Sequence, residues 1–385
     1  MRVALNVEQL LYPSPGGVGR YTAQLATLLA EVSGDEVVAF VARHGRPPVT
    51  AAMARFGVTA APAILALPRP ILYEAWHRFG WPPLALGALD VVHAPSVAVP
   101  PRGPVPLVVT VHDAAPALFP ESFPRRGLRF HRMGLAAAAG RADVVITVSE
   151  AAAGEITAHT AIPARRIRVV PNGVDPVAVD PEVGAAARRR LGVGDRPYVL
   201  WVGSLEPRKN VRTLVAALAV LARQGRGLGT EQGNGPAGRP RLVLAGYPGW
   251  LAEGLIDAGD RTALGDDLVQ LGRLAEADLW ALYAGATVFA FPSRHEGFGY
   301  PVLEAMGQGR AVVCSDIEVL RELAGPAARY VTATDVGAWA EAIAQLLVDT
   351  GARRALGAQG RLRARQFSVA ASVSATHAVY REVTG

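Results

Sequence analysis

The 385-residue sequence has little cysteine and no long apolar run, and both shortages exclude classes of protein. The single cysteine, Cys314, excludes an internal disulfide, and its apolar surroundings predict a buried core residue rather than a nucleophile. No apolar run reaches the roughly 18 residues that a membrane-spanning helix needs, and residues 1–7 read directly as a strand, without the apolar core of a signal peptide. We therefore expect a cytoplasmic protein, either soluble or attached peripherally at the inner face of the membrane.

Lysine is almost absent as well. The chain has 39 basic residues, and only Lys209 is a lysine, in the motif LEPRKN. A net charge of +6 and a pI near 9.8 indicate an anionic partner, although no motif indicates nucleic acid. Arg208 and Lys209 precede a predicted helix, whose positive end would make them repel each other unless an anion lay between them. The pair therefore predicts a diphosphate site, and simple solvent exposure is the alternative.

Short β-branched runs alternate with helical or loop-forming stretches along the whole chain. Six strand-like runs end at residue 170 and six more begin at Tyr198, which predicts an α/β protein with two parallel sheets covered by helices on both faces. A Pro/Asp/Gly-rich stretch over residues 171–184 predicts the linker between two domains. Residues 60–106 are rich in proline and less regular, and not every element there can be placed.

The stretch from Thr287 to Gly309 holds two glutamates at the carboxyl end of a predicted strand. Residues 287–291 read as a buried strand, a glycine-rich loop follows, and Pro301 suits the first position of a helix because its φ is already helical. Glu296 is thus predicted in the loop and Glu304 in the first helical turn, where a glutamate is also common because it complements the helix dipole. Open α/β sheets bind ligands at this edge, so the two carboxylates predict a polyhydroxylated ligand.

Two stretches of the first half also follow predicted strands. The glycines around Gly17 precede a helix predicted from about residue 20 to 31, and their N–H groups could approach a phosphate closely; a bare turn is the alternative. The dinucleotide fingerprint fails because Thr22 stands where its third glycine belongs, which argues against a Rossmann dehydrogenase. His112 and Asp113 end another strand, where a histidine can serve a ligand or simply be a hydrogen-bonded edge residue.

A cluster of arginines lies between residues 124 and 141, with apolar residues interspersed. A solvated basic face is the ordinary interpretation of such a run. The alternative is an amphipathic surface that contacts anionic lipid or a phosphorylated acceptor. The arginines are Arg125, Arg126, Arg129, Arg132 and Arg141.

Taken in order, the motifs SPGGVGRYT, VHDAAP, TVSE, VVPNGVD, GSLEPRKN and the Glu296 stretch resemble the retaining family-4 (group 1) glycosyltransferases, particularly their mannosyltransferase-like members. Glu296 and Glu304 occupy the two acidic positions of that family's glutamate-x7-glutamate signature. The resemblance implies the GT-B fold, with two Rossmann-like doubly wound domains facing across a cleft. The implied domains are residues 1–177, joined by a final helix at about 367–385, and residues 178–366.

The resemblance also implies a role for each matching residue. Glu296, His112 and Asp113 would be catalytic, and the loop residues Gly297, Phe298 and Gly299 would join Glu296 at the donor sugar. Further ligand contacts would be made at the diphosphate by Arg208, Lys209 and Gly17, at the ribose by Glu304, and near the nucleobase by Gly272, Arg273 and Leu274.

The expected reaction moves a sugar from a nucleotide diphosphate, with GDP-mannose first and a UDP-sugar second, to a glycan, lipid-linked or small-molecule acceptor. No metal or other cofactor is expected, because the chain lacks an Asp-x-Asp pair and the two cations would neutralise the leaving diphosphate. A same-face mechanism and a double displacement both remain open. So do two other functions on the same fold, a nucleotide-sugar epimerase and a catalytically silent nucleotide-sugar-binding scaffold.

Overall fold

The structure is a computed structural model that describes residues 1–13, 15–59, 61–224, 239–247 and 254–385, with the side chain of residue 47 left aside. The chain divides into two compact units. The first comprises Met1–Gly173 and Phe367–Gly385, and the second comprises Val174–Gln366. The division after Gly173 falls inside the stretch that reads as a linker.

The first unit is a parallel sheet of seven strands with helices on both faces. Its strands are β1 (Arg2–Asn6), β2 (Glu36–Val41), β3 (Ala63–Ile64), β4 (Val91–Ala94), β5 (Leu107–Thr110), β6 (Val144–Thr147) and β7 (Ile167–Val169). Its helices are α1 (Gly16–Ser33), α2 (Arg46–Ala54), α3 (Arg69–Phe79), α4 (Ala115–Leu118), α5 (Arg125–Arg141) and α6 (Glu150–His159), together with the C-terminal helix described below.

The second unit is a parallel sheet of six strands, also covered by helices. Its strands are β8 (Tyr198–Val202), β9 (Arg241–Ala245), β10 (Leu268–Leu271), β11 (Val288–Phe291), β12 (Ala311–Ser315) and β13 (Ala328–Val331). Its helices are α7 (Pro181–Arg190), α8 (Val211–Arg223), α9 (Ala258–Leu264), α10 (Glu276–Gly285), α11 (Tyr300–Gly307), α12 (Glu318–Ala324), α13 (Val336–Val348) and α14 (Thr350–Ala364).

The two sheets share one strand order over six strands, and the first sheet has one more strand, β7, at its edge. The order is β3-β2-β1-β4-β5-β6-β7 in the first unit and β10-β9-β8-β11-β12-β13 in the second, with every pairing parallel. The middle strands are buried on both faces, as β5, β6 and β11 illustrate, because helices cover each side; this is why they read as continuous apolar runs. In each unit the direction of winding reverses between two central strands, β1 and β4 or β8 and β11, and such switch points are where open α/β sheets bind ligands.

The C-terminal helix α15 (Val369–Thr384) belongs to the first unit, although it follows the second in the sequence. It packs against α1, and Val373 and Tyr380 are fully or almost fully buried in the core beneath β1. Two polar contacts attach it further: His377 Nδ1 lies 2.7 Å from the buried carboxylate of Asp35, and Arg168 pairs with Glu382. The helix is therefore part of the first domain's core.

Most predicted elements are present, with two differences. The first half has seven strands rather than six, because Ala63 and Ile64 form a two-residue edge strand beside Phe40 and Val41. A strand this short has no periodicity to detect in a proline-rich stretch. Helix α1 begins at Gly16, four residues earlier than its apolar spacing predicts. Its first turn is almost all glycine, so the spacing of apolar residues does not mark where the helix starts. Within the described residues, no helix is both long enough and apolar enough to cross a membrane.

Candidate functional site

The strongest group of predicted site residues lies at the switch point of the second sheet. Strands β8 and β11 are neighbours there, and the loops that leave their carboxyl ends carry Lys209 and Glu296 respectively. The backbone N–H of Arg294 donates to the carbonyl of Arg208 at 2.9 Å, which joins the two loops. The fold therefore brings together two motifs that are 87 residues apart in the chain.

Lys209 and Glu296 form a close, largely buried ion pair. The Lys209 ammonium donates to both carboxylate oxygens of Glu296, at 2.7 and 2.9 Å, and the two side chains are only 13% and 7% exposed. Ser293 Oγ donates a third bond to the same carboxylate at 2.6 Å. Burial alone would favour the neutral acid, but Lys209, Arg208 and these hydrogen bonds outweigh it and hold the pKa of Glu296 below its ordinary value.

Arg208 completes the cluster and corrects one step of the sequence argument. Its guanidinium donates to the carbonyl of His295 at 2.8 Å and lies 3.9 Å from Glu296 and 3.7 Å from Glu206. The prediction that the two cations repel each other unless a diphosphate separates them is therefore wrong, because two carboxylates already neutralise them. A ligand phosphate would have to share or exchange these partners.

Asn210 lies at the N-terminus of α8, a position where asparagine is a favoured cap, but its side chain makes no capping hydrogen bond to the helix. Its amide donates to the carbonyl of Pro292 at 3.0 Å and to that of Ala333 at 2.7 Å, while Thr213 Oγ1 donates to its Oδ1. Among the described residues it alone has a left-handed backbone without being glycine, with φ 52°. Asn210 therefore fixes the loop after β8 against the loops that follow β11 and β13.

The second glutamate is placed differently from the prediction. Helix α11 begins at Tyr300, so Pro301 is its second residue and Glu304 lies beyond the first turn. The Glu304 carboxylate is 5% exposed and accepts a 2.5 Å hydrogen bond from the hydroxyl of Tyr283 on α10. Dipole complementation therefore does not explain this glutamate, whereas a buried, oriented acceptor at the sheet edge does fit a ligand role.

The loop between the two glutamates is buried, as Gly297, Phe298 and Gly299 all show. Phe298 packs edge-to-face against Tyr300 at 5.5 Å. Gly299 has φ +107°, and a Cβ there would lie 2.9 Å from Leu320 Cδ2, so this position requires glycine. Side-chain packing and one strained glycine thus fix the path of the chain from Glu296 into α11.

The remaining predicted donor residues of this unit, Gly272, Arg273 and Leu274, lie in the loop after β10. Gly272 and Arg273 are exposed and Leu274 is half-buried. Strand β10 is the edge strand of the sheet, two strands from β8. The three residues therefore follow the carboxyl end of a parallel strand, as Lys209 and Glu296 do.

In the first unit, His112 and Asp113 follow β5. His112 Nε2 donates to the carbonyl of Pro95 at 3.0 Å, and its ring meets that of Tyr21 edge-to-face, with 5.2 Å between ring centroids. Burial lowers the pKa of His112, although the bond to Pro95 and the charge of Asp113 oppose the shift, so the neutral imidazole is favoured. Asp113 Oδ1 accepts from the N–H of Ala115 at the start of α4.

Gly17 is the second residue of α1 and is exposed. Its N–H lies in the first turn, where backbone donors have no acceptor within their own helix. Gly19 has a packing role instead, because a Cβ there would lie 2.1 Å from the Cβ of Pro15. The glycine-rich segment therefore combines one structural glycine with an accessible helix start.

The arginine-rich segment is helix α5, and its apolar side faces the protein. Phe130 stacks on Tyr73 at 5.8 Å, and Leu135 is buried. Arg141 donates to two carbonyls at the end of α3, and Arg129 pairs with Glu74. The alternative of an amphipathic surface is therefore wrong for the apolar residues, which pack inward. The ordinary interpretation, a solvated basic face, fits the exposed arginines, which are Arg125, Arg126 and Arg132.

Sequence reasoning missed the partners that orient these groups. Ser293 reads as a strand terminator, Tyr283 reads as part of an apolar helix face, and Tyr21 reads as a core position of α1. A hydroxyl-bearing residue at a predicted core position is the signal that could have identified the two tyrosines, because a buried hydroxyl requires a partner.

Comparison with known proteins agrees with this geometry. Residues 15–178 match the family model described as Glycosyltransferase Family 4, and residues 185–363 match the model of Glycosyl transferases group 1. The O-antigen chain mannosyltransferase B of Escherichia coli is 30% identical over 381 residues, which cover 96% of both chains. The chain belongs to the family-4, group 1 glycosyltransferases. The predicted family and its glycosyltransferase activity are thus confirmed.

Other relatives and solved structures agree on the fold of this glycosyltransferase. A D-inositol 3-phosphate glycosyltransferase of Xylanimonas cellulosilytica is 28% identical over 407 residues, covering 96% of this chain and 92% of that protein. The crystal structure of Anabaena HepE in complex with UDP and glucose superposes with a TM-score of 0.72 at 19% identity, covering 100% of this chain and 99% of that one. The predicted GT-B fold is confirmed.

Proposed function

We propose that this glycosyltransferase moves mannose from GDP-mannose to a glycan or lipid-linked acceptor, with retention of the anomeric configuration. The observation that carries the proposal is the cluster of Arg208, Lys209 and Glu296 at the switch point of the second sheet. Two cations and a buried carboxylate lie together there, at the edge where open α/β sheets bind ligands, which supports a site for a nucleotide diphosphate and its sugar.

The cations would stabilise the leaving diphosphate. Cleavage of the glycosidic phosphate bond leaves negative charge on the diphosphate, and preorganised cations lower the barrier because they need not reorganise as that charge develops. Arg208 and Lys209 are held by hydrogen bonds to His295 and Glu296, so their positions are set in advance. The exposed N-terminus of α1 at Gly17 would contribute further N–H donors to the phosphates.

The acidic residues and His112 would hold the rest of the donor. Once a phosphate shares Lys209, Glu296 can accept hydrogen bonds from sugar hydroxyls and stabilise an oxocarbenium-like centre. Glu304, oriented by Tyr283, would accept from the ribose hydroxyls. His112 donates through Nε2 to Pro95, which leaves Nδ1 as the acceptor; Nδ1 makes no hydrogen bond to the described residues.

The similarity to mannosyltransferases supports mannose as the transferred sugar. It supports GDP as the nucleotide for the same reason, because the proposed mannose donor is GDP-mannose. Besides the O-antigen enzyme, an MMP alpha-(1->4)-mannosyltransferase of Mycolicibacterium hassiacum is 31% identical over 242 residues, covering 62% of this chain and 54% of that protein. The fold neighbour HepE binds UDP, which makes a UDP-sugar the alternative donor. The cationic cluster supports a metal-independent reaction.

The test is isothermal titration calorimetry and a turnover assay with GDP-mannose and UDP-sugars, with and without Mg²⁺. Lys209→Ala should weaken nucleotide-sugar binding at least tenfold. The matched control is Arg321→Ala, which breaks an exposed ion pair with Asp316 in the same unit and should leave binding unchanged. Equal affinity of Lys209→Ala and wild type would refute the diphosphate assignment. Conversion of the donor without transfer to an acceptor would favour the epimerase alternative, and binding of the donor without any turnover would favour the scaffold.

The exposed cations of α5 support peripheral contact with anionic lipid as part of this proposal, which suits a lipid-linked acceptor. Changing Arg125, Arg126 and Arg132 to glutamate should abolish co-sedimentation with phosphatidylglycerol vesicles and leave turnover of a soluble acceptor intact. The control is the same change at three exposed arginines elsewhere, Arg354, Arg365 and Arg381. Loss of co-sedimentation in both triple variants would mean that net charge, rather than this surface, is responsible.

A further inference from the structure

A chain of buried hydrogen bonds connects the C-terminal helix with the strand that carries His112. Tyr380 of α15 contacts His93 Nδ1 at 2.6 Å, and His93 Nε2 contacts Thr110 Oγ1 at 2.8 Å. Thr110 Oγ1 in turn contacts the hydroxyl of Tyr21 at 3.0 Å. All four side chains are at most 1% exposed, so this network of hydrogen bonds is shielded from water.

The protonation states suit this chain. Burial lowers the pKa of His93 to about 3, so its ring is neutral, with one nitrogen that donates and one that accepts. Burial raises the pKa of Tyr21 to about 12 and that of Tyr380 well above its ordinary value, so both hydroxyls keep their protons. Every hydrogen bond of the network therefore joins two neutral groups, and the network stays intact across the physiological pH range.

This network of hydrogen bonds ends at Tyr21, whose ring contacts His112. The Tyr21 ring meets the imidazole at an interplanar angle of 87°, and Thr110 precedes His112 by two residues in the sequence. The bond to Pro95 and this ring contact both help to hold the orientation of the buried imidazole. Two contacts orient Tyr21 in turn, because its hydroxyl bonds to Thr110 Oγ1 and its ring lies edge-to-face against His93, with 6.3 Å between ring centroids.

We infer that Tyr21 is a positioning residue for His112, held in place through Thr110 and His93 by Tyr380 of the C-terminal helix. The inference rests on the proposed function in one respect, the role of His112 at the donor sugar. A purely structural network would stabilise the first domain without affecting the direction in which His112 Nδ1 points. The positioning role and the purely structural role predict different effects on kcat when His112 has already been replaced.

The experiment uses Tyr21→Phe, which removes the hydroxyl and keeps the ring. The expected result is a kcat about tenfold lower, with GDP-mannose affinity by calorimetry unchanged within about twofold. In a His112→Ala background the same change should have no further effect on kcat. The control is Tyr73→Phe, another buried tyrosine of this unit, whose hydroxyl lies 3.5 Å from Asn6 Nδ2, outside the network. It should leave kcat unchanged.

A second measurement separates this inference from the proposed function. In NMR spectra of protein with isotope-labelled histidine, Tyr21→Phe and Tyr380→Phe should both shift the His112 ring resonances, and Tyr73→Phe should not. If the resonances shift but His112→Ala keeps wild-type turnover, His112 is positioned by Tyr21 and the proposed role at the sugar fails. Unshifted resonances, or an equal loss of kcat with and without His112, would overturn the positioning role, and the Tyr380 variant decides the matter if the Tyr21 variant does not fold.

Discussion

The ion pair between Lys209 and Glu296 can be tested by a double-mutant cycle on stability. Lys209→Met removes the ammonium and keeps most of the apolar length of the side chain. Glu296→Gln removes the carboxylate charge and keeps a carbonyl that can accept the hydrogen bond from Ser293. Each single change leaves a buried ion without its principal partner, and the double change leaves two neutral groups. The non-additive part of the stability change measures the interaction between the pair.

The geometry sets the expected magnitude. Two unit charges separated by the 2.7–2.9 Å of this pair attract each other by about 6 kcal/mol at an effective dielectric constant of about 20. Removing both ions from water cancels much of that gain, because each loses several kcal/mol of hydration. We therefore expect each single variant to lose about 2–4 kcal/mol, the double variant to lose less than the sum, and a coupling energy of about 2 kcal/mol.

The assay is urea denaturation of the four proteins, followed by intrinsic fluorescence. The matched control is the same cycle on the exposed pair of Arg321 and Asp316 in the same unit, which should show no measurable coupling because water screens it. A coupling energy below about 0.5 kcal/mol for Lys209 and Glu296 would mean that the two losses are independent. That result would refute the idea that the two loops are held together by charge.

Three further expectations concern the same site. The stability difference between wild type and Glu296→Gln should be constant above pH 4.5 and vanish as the pH falls through the lowered pKa of the folded protein, because protonation removes the pair; a difference that persists in acid would contradict this. Asn210→Ala should destabilise the second unit by about 2–4 kcal/mol, and Asn210→Gly by about 1 kcal/mol less, since glycine accepts the left-handed φ; urea midpoints give the order. Gly299→Ala should cost about 1–3 kcal/mol by the same measurement and lower turnover, because its Cβ collides with Leu320 and displaces the loop of Glu296.

The fold could be read from the sequence because its strongest signals are local. Short apolar runs such as 288–291, rich in aromatic and β-branched residues and bounded by turn residues, favour strands buried on both faces, and their alternation with helices leaves few topologies. The two-residue strand at Ala63 and Ile64 could not be predicted in this way, since its existence depends on a free edge beside β2. The start of α1 at Gly16 was also hidden, because glycine has a low helix propensity and tertiary contacts decide the outcome.

The site was only partly predictable, for a related reason. Spacing and turn chemistry place Lys209 and Glu296 at strand ends, and parallel strand ends share one edge of a sheet. Which of those ends are adjacent depends on the strand order, and the strand order depends on contacts between distant residues. The carboxylates that neutralise Arg208, and the pairing of the Tyr283 hydroxyl with Glu304, could therefore be recognised only in the folded chain.

The neutral balance of the cluster changes how its chemistry should be understood. A pair of unpaired cations would bind any anion, including inorganic phosphate, as soon as it entered the site. In the proposed donor site, a phosphate would have to compete with the Glu296 carboxylate for Lys209, so its gain in binding would be reduced by the cost of the displaced carboxylate. That cost is recovered only when hydroxyl donors reach Glu296, and a sugar attached to the diphosphate supplies them. Under the proposed function, recognition of the sugar and of the diphosphate would be one exchange of partners at Lys209, which would favour the intact donor over either of its parts.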